Sequence, residues 1–474
     1  MNERLHPDRL FSALPREREI ARALYARVAA LPIISPHGHT DPRWFAYNEP
    51  FANATELLVT PDHYLLRMLY SQGIGLEALG IAGRAAAAAQ GAPAVAEPDV
   101  VWQRFGEHYH LFRGTPTRLW MDHVFGEVFA LDEAFNGDTA ARFYAEINRQ
   151  LATPAFRPRA LFERFNIEVI ATTESPLDPL DAHRHLAADP WPGRVITAFR
   201  PDPVVDPEYA GFADNVAELS RVSGVSCAHY AGYLDALRER RDFFRSLGAT
   251  STDHGHPSAC TADLPRAECE RLYAGALAGS LSAQEAEQFR GQMLLEMALM
   301  SLDDGLVMQL HPGVYRNHNP AVFAQFGRDR GADLPVAGEF VRKLKPLLDR
   351  VGNEPAFTLI LFTLDETTYA RELAPLAGHY PALRLGPPWW FHDSPEGMLR
   401  YRQQVTETAG FYNTVGFNDD TRAFLSIPAR HDVARRMDCR FLAGLVAEHR
   451  LTLDEAEELA VDLAYRLAKT AYRL

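Results

Sequence analysis

Eight short, nearly continuous apolar runs punctuate the chain, and each ends in polar or reactive residues. They are LPIISPHGH (31–39), IEVIATTES (167–175), RVITAFRPD (194–202), LGATSTDHGH (247–256), GLVMQLHPG (305–313), AFTLILFTLDE (356–366), ALRLGPPWWF (382–391) and FYNTVGFNDD (411–420). Runs of this length without polar alternation read as strands buried on both faces, as in a parallel sheet. The stretches between them are long enough for helices. LSAQEAEQFRGQMLLEMALMSL before the fifth run and SPEGMLRYRQQVTETAG before the eighth both carry helical spacing.

Eight strands alternating with helices predict an α/β protein of the (β/α)8 barrel type. The competing architecture, a doubly wound open sheet, usually brings a glycine-rich phosphate loop, and the sequence has none. In a barrel the reactive groups gather at the C-terminal strand ends, which here carry His37, His39, Glu174, Arg200, His254, His311, Asp365, Trp390 and Asp420. The expected organisation is an N-terminal helix and first strand over 1–43, a helical insert over 44–160, and the rest of the barrel with extra C-terminal helices over 161–474. Within the insert, the Ala/Pro/Gly stretch 85–99 reads as a mobile connector. The C-terminal segment opens with a capping box at Thr452 and Glu455.

Composition narrows the picture. A chain of 474 residues, 47% hydrophobic and 23% charged, can bury a large core. The net charge of -14 argues against nucleic acid or an anionic membrane as partner, and means that an anionic substrate needs local arginines. Four cysteines without a CxxC pair read as reduced thiols, the polar N-terminus lacks a signal-peptide pattern, and no run approaches a membrane span. The expected compartment is the cytoplasm, and the expected assembly a homo-oligomer.

The sharpest local feature is His37-Gly38-His39. Residues i and i+2 of a strand share a face, so two imidazoles can reach one metal ion. With 18 histidines in the chain an HxH also arises by chance, and its position at the end of the first run is what favours a function. Asp420 ends the last run and would face the first strand once a barrel closes, where a carboxylate can bind metal, move a proton, or do both. The adjacent Asp419 leaves open which of the two works and which caps a turn. Arg422 suits carboxylate recognition. His311 is placed as a ligand or an acid/base, and Arg316, Asn317 and Asn319 offer hydrogen bonds to a polyhydroxy anion. The asparagines read more simply as loop caps. His63 and Tyr64, in an apolar stretch, read on their own as core packing. Trp389 and Trp390 offer a wall for a sugar face or a plug for the barrel end, and Arg200 an anion site or a solvated charge.

In this order the motifs resemble the uronate isomerases of the amidohydrolase superfamily. They are His37-Gly38-His39, Asp62-His63-Tyr64, Ala171-Thr172-Thr173, Phe199 to Asp202, Gln309 to His311 with Arg316-Asn317, Trp389-Trp390-Phe391, and Val415 to Ser426 followed by Arg430-His431. The resemblance implies a (β/α)8 barrel and interconversion of aldose and ketose sugar acids, such as D-glucuronate with D-fructuronate and D-galacturonate with D-tagaturonate, by proton transfer through an enediol. It casts His37, His39 and Asp420 at the metal, and His63, His311 and Arg422 as active-site groups, which reverses the plain reading of His63. Tyr64 joins His63 as a candidate for the carbon-bound proton; Arg200, Arg316 and Trp390 are candidates for holding a hexuronate. Imidazole and carboxylate ligands point to zinc. His254 and Asp365 stand near the places where superfamily hydrolases often carry a lysine and a histidine, which argues against a binuclear hydrolytic centre. A metal-dependent hydrolase or decarboxylase of the same superfamily is the alternative function, and a non-catalytic carbohydrate-binding protein a more distant one.

Overall fold

The apolar runs settle as short parallel strands, described by a computed structural model that covers residues 5–84 and 95–474. The strands are β1 (Ile33–Ser35), β2 (Ile167–Glu174), β3 (Arg194–Phe199), β4 (Ser251–His254), β5 (Val307–Leu310), β6 (Val314–Tyr315), β7 (Leu334–Pro335), β8 (Leu359–Leu361) and β9 (Leu383–Leu385). Seven of them form one parallel sheet in the order β1-β2-β3-β4-β5-β8-β9, while β6 and β7 make a small antiparallel ribbon in the loop after β5. Sequential order and uniform parallel pairing, with helices in the crossovers, are the signature of a (β/α)8 barrel.

The eighth run does not become a full strand. Thr414 makes a single parallel bridge to Leu385, supported by Leu385 N–H to the Asn413 carbonyl at 2.9 Å and Val415 N–H to the Leu385 carbonyl at 3.1 Å. Beyond that point Gly416 (φ 74°) and Asp420 (φ 33°) take left-handed backbone conformations that a regular strand does not contain. The run nevertheless reaches the first strand. The His39 N–H donates to the Thr421 carbonyl at 3.0 Å, which joins the two ends of the ring.

Helix Pro15–Val28 packs on the 21-residue helix Ile427–Ala447, which follows the eighth run. Arg435 on the latter donates to the carbonyls of Ala29, Leu31 and Pro32 at 2.9–3.0 Å, and so anchors the approach to β1. The capping box at Thr452 and Glu455 is present. The main apolar core lies between the sheet and the outer helices.

A second core organises the segment between β1 and β2. Trp102, Phe105, Tyr109, Phe125, Phe135 and Phe143 pack edge to face there, and the Trp102 indole N–H donates to the Ala140 carbonyl at 2.9 Å. The same cluster includes Ile33, Ile167 and Ile170 of β1 and β2, so the inserted helices are fused to the barrel flank. Residues 85–94 of the Ala-rich connector lie outside the described residues.

The left-handed Gly416 sits hard against the helical turn Asp462–Arg466. A Cβ there would lie 2.7 Å from the Leu463 carbonyl oxygen. Gly416→Ala is therefore expected to destabilise the fold by more than about 1 kcal/mol and to lower turnover as well, because the same loop carries Asp420. Denaturant unfolding of the variant checks this; an unchanged midpoint would mean that the turn can retreat.

Candidate active site

The short β1 ends at Ser35, so His37 and His39 stand on the loop beyond it. The backbone still brings them together, with ring centroids 5.2 Å apart and planes at 80°. Both Nε2 atoms face one carboxylate oxygen, Asp420 Oδ1, at 3.5 Å for His37 and 3.2 Å for His39. A Cβ on Gly38 would meet nothing closer than 3.4 Å, so space alone does not require the glycine. Burial opposes the charge of Asp420, but the two histidines outweigh it and hold the carboxyl well below its usual range. His37 and His39 respond in opposite directions: burial disfavours both cations, yet Asp420 and Asp253 raise His37, while burial prevails in His39 and lowers it. Asp420 adopts its left-handed φ as a non-glycine residue, a cost of the kind often found at functional sites. The ligand atoms of His37, His39 and Asp420 lie within 4.8 Å of one another, a nitrogen, nitrogen and oxygen set suited to a divalent transition metal.

Beside this trio, His311 at the end of β5 stacks on His37 with centroids 4.8 Å apart. Its Nδ1 is hydrogen-bonded to Asp253 Oδ1 at 2.8 Å, which leaves Nε2 toward the cavity. Asp253 is buried, which disfavours its charge, but Arg200, His37 and His311 hold it ionised well below the ordinary carboxylate range. Arg200 spans two acids, with Nη1 3.2 Å from Asp253 and Nε 3.1 Å from Asp202.

The opposite wall comes from the inserted segment. Asp62 caps helix His63–Ser71 by accepting from the N–H groups of Tyr64 and Leu65, which sets His63 and Tyr64 at the first turn, facing the barrel. The His63 ring meets Trp390 edge-on at 5.3 Å. Burial drives the His63 pKa down to about 3, and burial raises that of Tyr64, so both are neutral near pH 7. Arg430 lies 3.5 Å above the Trp120 ring and 5.6 Å from the Tyr64 ring centre, and pairs with the buried Asp393. On the loop side, Arg316 pairs with Asp333 at 2.9 Å and Arg422 with Asp329 at 3.1 Å. Together these groups line a cavity of about 410 Å³, enough for a small polar molecule.

His37, His39, His63, Tyr64, Arg200, His311, Arg316, Trp390, Asp420 and Arg422 all border this cavity, as does Glu174. Two other strand-end residues do not. His254 points to the far side of β4 and bonds Thr252 Oγ1 at 3.0 Å, because strand alternation gives the inward position to Asp253. Asp365 turns into its own loop and accepts from Gly338 N–H at 2.9 Å and from Thr367. Asn319 caps helix Pro320–Phe326, whereas Trp389 borders the cavity beside Trp390 and packs edge-on against His311. Asp419 is turned away from Asp420 and binds His431 Nε2 at 3.0 Å. Sequence reasoning passed over Asp253, and gave Arg430 no role beyond its place in the Arg430-His431 motif. Asp253 lies in a strand buried on both faces, with no alternation to mark its inward side, and Arg430 sits on a helix whose local pattern singles out no site.

A family profile for glucuronate isomerase matches residues 12–472. A uronate isomerase of Rhizorhabdus wittichii is 65% identical over 471 residues, covering 99% of both chains. The crystal structure of glucuronate isomerase from Caulobacter crescentus superposes with a TM-score of 0.96 at 58% identity, over 99% of this chain and 96% of that one. A uronate isomerase structure from Thermotoga maritima shares the fold, with a TM-score of 0.91 at 23% identity over 99% of each chain.

At the rim, Glu174 accepts from Thr197 Oγ1, and His183 lies behind it. Burial raises the Glu174 pKa from its ordinary 4.5 to about 7. The folded protein therefore retains this proton where the unfolded chain has lost it, so its contribution to stability falls as pH rises from 4.5 to about 7. The difference amounts to on the order of 3 kcal/mol. Glu174→Gln is expected to remove this component: across that interval the wild type should lose stability relative to the variant. Urea unfolding as a function of pH reads the difference, and parallel curves would contradict the burial argument.

Proposed function

The chain belongs to the uronate isomerase family, and on that premise we propose that its barrel mouth interconverts aldose and ketose hexuronates through an enediol. D-Glucuronate with D-fructuronate and D-galacturonate with D-tagaturonate are the pairs we assign. The observation that carries the reading is the convergence of His37, His39 and Asp420 with five arginines around one cavity.

His37, His39 and Asp420 would hold a divalent ion, zinc by the chemistry of the donors, which when bound supplies positive charge beside the substrate oxygens as they become anionic. The substrate carboxylate would lie against guanidinium groups of Arg422, Arg316 or Arg200, each of which is fixed by its own acid. Trp390 would face the carbon skeleton.

In the open-chain aldehyde, a base removes the C2 proton to give the enediol, and a proton returns at C1. His63 faces this proton with a neutral imidazole and a lone pair, and the charge of a bound uronate would have to offset the burial that lowers its pKa to about 3 and weakens it as a base. Tyr64 keeps its proton and would donate a hydrogen bond to a substrate oxygen. Asp420, ionised and bordering the cavity, would carry the hydroxyl proton between O2 and O1. His311, oriented through Asp253, would point Nε2 at the same oxygens. Among the described residues no helix is long and apolar enough to cross a membrane, and we assign the enzyme to the cytoplasm.

Asp420→Asn is expected to reduce kcat by about 10²–10⁴-fold with the fold retained; a glucuronate assay with circular dichroism tests it, and near-normal turnover would remove Asp420 from the scheme. In deuterated water, proton transfer predicts solvent label by NMR at C1 of the ketose product, or at C2 of aldose recovered from the reverse reaction. Complete retention of the original hydrogen would point to hydride shift instead.

A further inference from the structure

The chain contains a second histidine-glycine-histidine run, His254-Gly255-His256, at the end of β4. It lies apart from the mouth trio. Because Asp253 takes the inward position, His254 faces the far side of the strand, and both imidazoles are almost wholly enclosed, at 0% and 2% exposure. The ring centroids are 6.0 Å apart and the planes stand at 73°. Asp202, at the start of helix Asp202–Val205, completes the group, and one ligand atom from each of the three residues lies within 4.8 Å of the others.

The hydrogen bonding around this group is incomplete in a specific way. His254 Nε2 is hydrogen-bonded to Thr252 Oγ1 at 3.0 Å; with the ring N–H donating to that hydroxyl, Nδ1 keeps its lone pair for another partner. Among the described residues, that Nδ1 and both ring nitrogens of His256 have no hydrogen-bond partner in the protein. Buried polar atoms are almost always satisfied, and here each histidine brings one ring nitrogen toward the same carboxylate while three of the four ring nitrogens lack a partner. The Asp202 carboxylate is already aimed, since it accepts from Gly255 N–H at 3.1 Å and from Arg200 Nε at 3.1 Å. A carboxylate in this setting still has lone pairs for a further partner.

We propose that Asp202, His254 and His256 form a second divalent-cation site, enclosed and structural, for zinc or a similar imidazole-binding transition metal. The donor set of two imidazole nitrogens and a carboxylate oxygen suits that class of ion, and enclosure suits a structural role. The site does not depend on the isomerase reading. It does touch the cavity wall through Asp202, which pairs with Arg200, so a bound ion would fix the acid that positions this guanidinium.

The test is zinc stoichiometry. Full-length protein is stripped with chelator, equilibrated at micromolar free zinc, freed of excess and measured by elemental analysis. A His37→Ala/His39→Ala variant, which lacks the mouth ligands, is expected to keep about one equivalent per chain and to gain thermal stability with zinc. Adding His256→Gln to that background is expected to abolish both. No zinc in the first variant, or zinc retained in the second, overturns the proposal. Should either variant fail to fold by circular dichroism, wild type against His256→Gln alone gives the same answer: a loss of about one equivalent supports the site, and equal content refutes it. Loss of isomerase activity in the mouth variant bears on the first site only.

Discussion

A single backbone hydrogen bond, His39 N–H to the Thr421 carbonyl, marks where the first and last runs of the sheet meet. A parallel barrel has to close, and the residues on either side of the seam are then forced together although they are hundreds of positions apart. His37 and His39 come from one side and Asp420 from the other. Regular strand geometry has already ended on both sides, which frees the side chains to converge. The left-handed backbone at Asp420 and the turn at Gly416 are the local cost of that convergence.

Electrostatics at the mouth follow from the same enclosure. The chain carries a net charge of -14, yet the cavity presents several guanidinium groups. Four of them are paired, Arg200 with Asp202 and Asp253, Arg316 with Asp333, Arg422 with Asp329 and Arg430 with Asp393, while Arg328 lies over the Tyr209 ring. Paired arginines lose little freedom when an anion arrives, and their carboxylates temper the repulsion between neighbouring cations. Asp253 has a further part, since it fixes the tautomer of His311 and so decides which nitrogen looks into the cavity.

Much of this was legible in the chain itself. Unbroken apolar runs announced a parallel sheet, because strands buried on both faces need no alternation. Their terminal residues named most of the mouth: His37, His39, Arg200, His311 and Asp420 all border the cavity. The unbroken pattern also hid something. Without alternation the inward face cannot be read, and in Ser251-Thr252-Asp253-His254 the histidine drew the eye while the aspartate faced inward. The eighth run read as a strand, but Gly416 and Asp420 reduce it to a bridge. Arg430 stood in the Arg430-His431 motif, but its role was hidden for another reason. Its position on a helix becomes meaningful only when Trp120, Tyr64 and Asp393 converge on it from three distant segments.

The aromatic cluster of the inserted helices is continuous with the apolar faces of β1 and β2. Any swing of that wall would pull Ile33, Ile167 and Ile170 away from their neighbours and wet them. His63 and Tyr64 thus ride on a fixed jaw. The segment that carries Arg316 is tied by a ribbon of two-residue strands, and its Val322 and Phe326 join the same core as the inserted helices, while Tyr315 and Leu334 on the ribbon itself are exposed. Adaptation to sugar acids of different stereochemistry would then be cheapest through side-chain changes on that exposed ribbon, where no core residue has to move.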